Sequence, residues 1–169
     1  NVTDMTSMFR NAKNFNADIS KWDVGKVTNM SYMFEKATRF NAPIGKWSVG
    51  NVTRMDYMFS YSGFHQDISS WSTGKVTSMA GMFSNNSFNQ DIGGWNTSNV
   101  TDMSLMFNNA KAFNKNIGSW NTSNVVNMSE MFLGANAFNQ NIGNWKTSKV
   151  TNMSNMFNYT GYNSTNLTL

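Results

Sequence analysis

The chain has no cysteine, one proline, one histidine and four leucines among its 169 residues. Without cysteine there is no disulfide to hold the fold and no thiolate to serve as nucleophile or metal ligand. The single histidine, His65, excludes a His-rich metal site. Charged side chains make up only 13% of the chain and leave a net charge of +4. They are scattered singly, which excludes the basic stripe of a nucleic-acid-binding surface. No apolar run reaches the length of a bilayer-spanning helix, so no membrane insertion by this segment is expected. No signal-peptide or lipid-anchor motif is visible either.

What is present repeats. The chain holds 28 Asn, 14 Met, 13 Phe and 6 Trp. The tryptophans fall at Trp22, Trp47, Trp71, Trp95, Trp120 and Trp145, with spacings of 24 or 25. Val2, Val27, Val52, Val76, Val100, Val125 and Val150 keep the same beat. Every Met lies in one of two columns, one running from Met5 to Met153 and the other from Met8 to Met156. Seven of the 13 Phe directly follow the second Met column, and the other six form a column from Phe15 to Phe138. The unit reads V-T-x-M-S-x-M-F-x-x-A-x-x-F-N-x-x-I-x-x-W-x-T-S-x. Apolar columns at a period near 25 predict about seven stacked units, none of which buries its apolar face alone. Two units are one residue shorter, and the loss falls in the Ala column, where a surface turn is expected to absorb it.

Two periods alternate within the unit. Trp22 and Val24 face one way and Asp23 the other, the pattern of a short strand. Stacked at ~4.8 Å, such strands would form a parallel sheet. Val27, Met30, Met33, Phe34 and Ala37 carry helical spacing, with Thr28 or Ser31 as cap. The expected fold is therefore an α/β solenoid, leucine-rich-repeat-like, of about seven 24–25-residue units with a short parallel sheet. Residues 1–169 read as a single repeat domain, a fragment of a longer surface protein, with "LTL" at the end as a last strand. The Asn column from Asn16 to Asn163, broken by His65, suggests a ladder to neighbouring backbone amides, or else a row of solvated turn residues.

The M-S-x-M-F and F-N-x-x-I-x-x-W wording resembles the BspA-like leucine-rich repeat family, including the domain-of-unknown-function 285 repeats of bacterial surface proteins. Ile19, Trp22 and Val24 match the family's strand pattern. Val27 and Met30 match its following apolar positions, Met33 and Phe34 its A-F pair, Ala37 its small residue, and Phe40 its next Leu. Trp in a strand position and the scarcity of Leu depart from the leucine-rich pattern. The resemblance implies a cell-surface, secreted or lipoprotein location in a bacterium, and adhesion to host or matrix proteins. It implies no cofactor and no catalytic residue.

Asp18, Asp67 and Asp91 share one column, and Asp67 and Asp91 lie on adjacent units. Two close carboxylates suit Ca²⁺ or an acid/base pair. Asn116, Asn141 and Pro43 replace them elsewhere, which favours the plainer role of bonding turn amides. The Met columns read as core rather than as soft-metal ligands. N-x-S/T sequons, including Asn51, Asn96, Asn121, Asn127, Asn158 and Asn163, follow from the repeat's composition.

The remaining candidate is a surface. Asp23, Ser48, Ser72, Asn96, Asn121 and Lys146 form a polar outward strip, one residue per unit. If the sheet lined a concave face, the strip would point into it. The neighbouring Thr73, Thr97, Thr122 and Thr147 fall on the Trp side, so these hydroxyls are expected to be buried and not to face ice or crystalline polysaccharide. The expected function is a non-catalytic surface module that binds a host or matrix protein, or a glycan, through the strip. The alternative is a structural spacer with no ligand there, and self-association through uncapped ends is also open.

Overall fold

The segment running from each Val to the following Ala is a chain of turns. In the computed structural model, which describes residues 1–163, Met8 donates its amide to Met5, Arg10 to Ser7 and Ala12 to Phe9. The amides between them point elsewhere: those of Met5, Ser7, Phe9 and Asn11 donate to the carbonyls of Asn29, Ser31, Met33 and Glu35, one unit on, at 2.7–2.9 Å. The outward bonds recur in each of the first six coils. Coils span residues 2–26, 27–51, 52–75, 76–99, 100–124, 125–149 and, as far as described, 150–163.

Alternation of this kind needs left-handed residues. Each coil has two, in the columns of Ser7 and Asn11, and the non-glycine members have φ between 52° and 62°. Tyr32, Tyr57, Tyr61, Leu105 and Glu130 are among them. A bulky residue in that region costs roughly 1–2 kcal/mol. One outward hydrogen bond contributes about 0.5–1.5 kcal/mol net, which does not offset it alone. Burial of the Met and Phe on the same segment, about 1.5–3 kcal/mol each, does.

The expected α/β solenoid does not form. Among the described residues there is no helix and no extended strand, and most of the chain is turns and loops. Apolar residues at i, i+3 and i+4 fit consecutive four-residue turns as well as a helix, and the two left-handed residues per coil end any helical path. The parallel pairing is also displaced. It consists of single bridges joining Asp4, Asn29, Arg54, Ser78, Asp102, Asn127 and Asn152 in series, inside the segment that reads as helical. The stretch around Trp22–Val24 that reads as strand is closed by turns, Trp22 to Ile19 and Val27 to Val24. The "LTL" end lies outside the described residues, and among the described residues no helix is long and apolar enough to cross a membrane.

The core is nonetheless the one the columns predict. All ten Met of the second to sixth coils are fully buried, as are the column valines Val27, Val52, Val76, Val100 and Val125. Within each of the first six coils the two Phe rings stack at 3.7–4.2 Å, and in the seventh Phe157 stacks on Tyr162 at 4.7 Å. Each buried Trp donates its indole N–H to the Ile carbonyl of the preceding coil, as Trp95 does to Ile68 at 3.2 Å. The spine is therefore bonded as well as packed. Paired Trp rings sit 6.3–6.4 Å apart, against ~4.8 Å for directly bridged backbone. The Phe rings of neighbouring coils keep a like spacing, 5.6–6.3 Å, so both aromatic columns stack with the rings offset.

The short coils do not lose their residue to a solvated turn. Ser62 and Asn86 replace the Ala column and are buried. Where Phe40 donates to the Ala37 carbonyl, Phe64 donates to the Ser62 hydroxyl and Phe88 to Asn86 Oδ1. Asn86 Nδ2 also donates to the carbonyls of Phe59 and Ser62, both at 2.9 Å. A side chain stands in for the missing backbone.

Trp95→Ala is expected to cost roughly 3–5 kcal/mol, since it removes a core ring and its bond to the preceding coil. Trp95→Phe should cost less than half as much. Urea unfolding measures both, and an unchanged midpoint for the Ala variant would contradict a buried, bonded spine. Gly81 is left-handed, and a Cβ there would overlap the Tyr57 ring. Gly81→Ala is expected to destabilise by about 1–3 kcal/mol. Much of that should be recovered when Tyr57→Ala is added, as a double-mutant cycle reads directly.

Candidate binding face

All six strip residues, Asp23, Ser48, Ser72, Asn96, Asn121 and Lys146, are exposed. They follow the Trp column, whereas the parallel bridges run through the column from Asp4 to Asn152. A sheet-lined concave face is therefore not their setting. Asp23, Asn96 and Asn121 use a side-chain oxygen to accept from the amides of Gly25, Ser98 and Ser123 at 3.0–3.1 Å. Each pins the turn two residues on. Among the described residues, the side chains of Ser48, Ser72 and Lys146 make no hydrogen bond or ion pair, which leaves them open to a ligand.

Beneath the strip, Thr73, Thr97 and Thr122 are buried, and their hydroxyls donate to the carbonyls of Asn96, Asn121 and Lys146 at 2.9–3.0 Å. Those hydroxyls are consumed inside the stack. Thr147, in the sixth coil, is exposed.

The acidic column has the plainer of its expected roles. Asp18, Asp67 and Asp91 accept from the amides of Ser20, Ser69 and Gly93, and Asn116 and Asn141 accept in the same way from Gly118 and Gly143. An amide oxygen does this work as well as a carboxylate. Among the described residues no group of three or more His, Cys, Asp or Glu is placed to hold a metal ion. His65 is an exposed turn residue. With the proton on Nδ1, it donates to Gly63 O at 2.8 Å and accepts at Nε2 from Asn41 Nδ2 at 3.0 Å.

The Asn column forms the bonded ladder. Asn16, Asn41, Asn89 and Asn114 each accept, through Oδ1, the backbone amide of the next coil at 2.8–3.0 Å. Where His65 interrupts the column, Gln90 Nε2 donates instead to the His65 carbonyl at 2.9 Å.

One cluster is not apparent in the repeat pattern. Asp56 is buried, and it accepts from Arg54 Nε at 2.8 Å, Ser31 Oγ, Ser78 Oγ and the Ala80 amide. The pairing with Asp56, by hydrogen bond first and then by charge, raises the Arg54 pKa above its ordinary value. Above this node Tyr57 stacks on Tyr32 at 5.2 Å, and Arg10 lies over Tyr32 while pairing with Glu35 at 2.5 Å. Burial pushes the Tyr57 phenol pKa up. The signal in the sequence is a double departure. Arg54 and Ser78 stand where the other coils have Asp or Asn, and Asp56 stands in a column of Ser, Thr and Ala. The Asp56 carboxylate thus takes the Ala80 amide that Ser78 leaves uncapped, and in its own coil it holds the Arg54 side chain instead. Its bonds join three coils, which makes it a node of the scaffold.

The architecture is that of a stacked-repeat protein whose bonding is spent between coils. The family described as "Mycoplasma protein of unknown function, DUF285" matches residues 1–92 and again 78–168, and the chain belongs to it. No curated protein matches the chain, and no solved structure does.

Three turn caps have lowered carboxyl pKa values. The causes are bonds from the hydroxyl and then the amide of Thr6 for Asp4 and of Ser20 for Asp18, and from the amide and then the hydroxyl of Ser69 for Asp67. A lowered folded-state pKa means that the native state binds the proton less readily than the unfolded chain. These caps therefore stabilise fully above the ordinary carboxyl value of 3.8 and are lost as pH falls below it. The triple variant Asp4→Asn, Asp18→Asn, Asp67→Asn is expected to match the parent at neutral pH and to lose less stability in acid. Parallel urea titrations at neutral and acid pH test this, and identical acid losses would refute it.

Proposed function

We propose that the chain is a non-catalytic binding or adhesion module that presents the Asp23–Lys146 strip to a protein or glycan partner. The observation that carries this reading is the exposure of all six strip side chains, one per coil, above a core in which neighbouring polar groups are bonded. A rigid row of hydroxyl, amide and ammonium groups suits a partner with repeated polar groups along its length, since a preformed face loses little entropy on binding. The likeness to BspA-like surface proteins supports a location at the cell surface or in secreted material, and with it a host, matrix or glycan partner. The rival reading, a spacer with an idle strip, draws on the same internal bonding.

Ser48 and Ser72 are the positions to substitute, because Asn96 and Asn121 also cap turns. The double variant Ser48→Arg, Ser72→Arg is expected to keep its urea midpoint. It should lose at least about tenfold in affinity for whichever array glycan or matrix protein the parent binds saturably. Undiminished binding would remove the strip as the site. No saturable partner for the folded parent would favour the spacer. A hit that requires Ca²⁺ would move attention to Asp67 and Asp91.

A further inference from the structure

We propose that the recess beside Tyr61 is a second binding site, one that seats a neutral pyranose ring. It shares no residue with the strip and does not rest on that reading. The recess measures about 500 Å³ and is walled by Tyr61, Asn85, Ser87, Asn109, Lys111 and Ala112, over the buried Asn86. That volume lies within the ~300–1,000 Å³ usual for small-molecule sites.

The deleted residues create the recess. A full-length coil carries two residues between its Ala column and the next Phe, as Thr38 and Arg39 in the second coil and Lys111 and Ala112 in the fifth. The third and fourth coils carry one each, Gly63 and Ser87. The third coil closes against the second there. The Gly63 amide donates to the Ala37 carbonyl at 3.3 Å, and a Cβ at Gly63 would strike the Thr38 carbonyl. The gap is therefore left on the other side, between Tyr61 and Lys111.

Its polar groups are held in place. Tyr61, Asn85 and Asn109 are successive members of one left-handed column, with φ of 55°, 53° and 52°. Their amides donate to Ser84, Asn108 and Leu133 of the next coils at 2.6–3.0 Å, which fixes the backbone beneath them. Asn85 Nδ2 donates to Ser84 Oγ at 2.9 Å and Asn109 Nδ2 to Asn108 Oδ1 at 2.7 Å. Each amide group is thus anchored through its nitrogen, and neither Oδ1 has a donor among the described residues. The Ser87 hydroxyl and the Lys111 ammonium have no partner among them either. The Tyr61 ring is 51% exposed and, unlike Tyr57 on Tyr32, stacks on no other ring among the described residues.

These groups select a ligand with one apolar face and an edge of hydroxyls. The C–H face of a pyranose can lie on the Tyr61 ring, and its hydroxyls can donate to the two Asn oxygens and accept from Ser87 and Lys111. A wholly apolar ligand would bury those oxygens unpaired. Two carbonyl oxygens beside a single ammonium also disfavour an anion.

Titration of the full chain with methyl glycosides of glucose, galactose, mannose and N-acetylglucosamine, and with linear oligosaccharides of the same sugars, tests the site. Ligand-observed NMR and calorimetry should show saturable binding of at least one at about 1 mM or tighter. Equal affinity for a methyl glycoside and its oligosaccharide would support a single ring as the ligand, and binding of the oligosaccharide alone a ring within a chain. Tyr61→Ala should weaken binding at least about tenfold and Tyr61→Phe less than about threefold. Asn85→Gly removes an acceptor without straining the backbone, since glycine favours the conformation and Gly81 and Gly134 already adopt it elsewhere in the left-handed columns. It should weaken binding at least about fivefold, with urea midpoints showing that each variant folds. No saturable binding up to about 20 mM, undiminished binding by either Tyr61→Ala or Asn85→Gly, or a methyl glucuronide bound at least about tenfold tighter than the glucoside would overturn the proposal.

Discussion

Every second backbone amide between the first Met and the Ala of a coil is turned away from its own turn and given to the neighbouring coil. The rest of the structure depends on this division. An isolated helix of seven or eight residues is marginal in water, since it fixes many dihedrals before its bonds accumulate. The turn chain settles the same amides differently. Between Met5 and Ala12, four donate to the next coil, three close local turns, and that of Thr6 goes to Asp4 Oδ1. No amide in that stretch is left over, but half of them are satisfied only when another coil is present. Stacking is thus a condition of the local backbone and not a later step of assembly.

The same division explains why polar side chains recur in columns. A coil cannot close its remaining turns with backbone alone, so Asp and Asn oxygens accept amides two residues on, and Asn oxygens accept the amide of the next coil. The requirement is for an oxygen at a fixed place, and charge is incidental. Asp91 and Asn116 are interchangeable for this reason. Where the pattern lapses, a substitute appears nearby. Asp56 serves the coils with Arg54 and Ser78, Gln90 covers the His65 gap, and Ser62 and Asn86 replace a deleted backbone residue.

Burial was legible in the sequence because it depends only on direction. Met30, Met33, Phe34 and Ala37 are fully buried, as their spacing requires, on a backbone that the spacing does not determine. A helix and a run of four-residue turns both return the chain to the same side after three or four residues. What separates them is the left-handed pair in each coil, and only Gly81 and Gly134 mark it with the residue that favours that conformation. Tyr32, Lys36, Leu105 and Glu130 occupy equivalent places and carry no such mark. The strip was legible for the opposite reason. Its residues alternate with Trp and with Val or Thr, and alternation predicts exposure whether or not a strand forms. The node at Asp56 was not, because it joins three coils through departures that look like noise when each column is read alone.

A stack that spends its polar groups between coils keeps most of them for its own cohesion. The hydroxyls of Thr73, Thr97 and Thr122 and the indole N–H groups from Trp47 to Trp145 are all engaged by a neighbouring coil. What stays exposed follows the same periodicity, one polar side chain per coil from Asp23 to Lys146. These positions are not equal. Asp23, Asn96 and Asn121 each cap a turn, so a change there disturbs the scaffold, whereas the side chains of Ser48, Ser72 and Lys146 hold nothing in place among the described residues. Half of the row can therefore vary while the fold persists, and the scaffold constrains the other half.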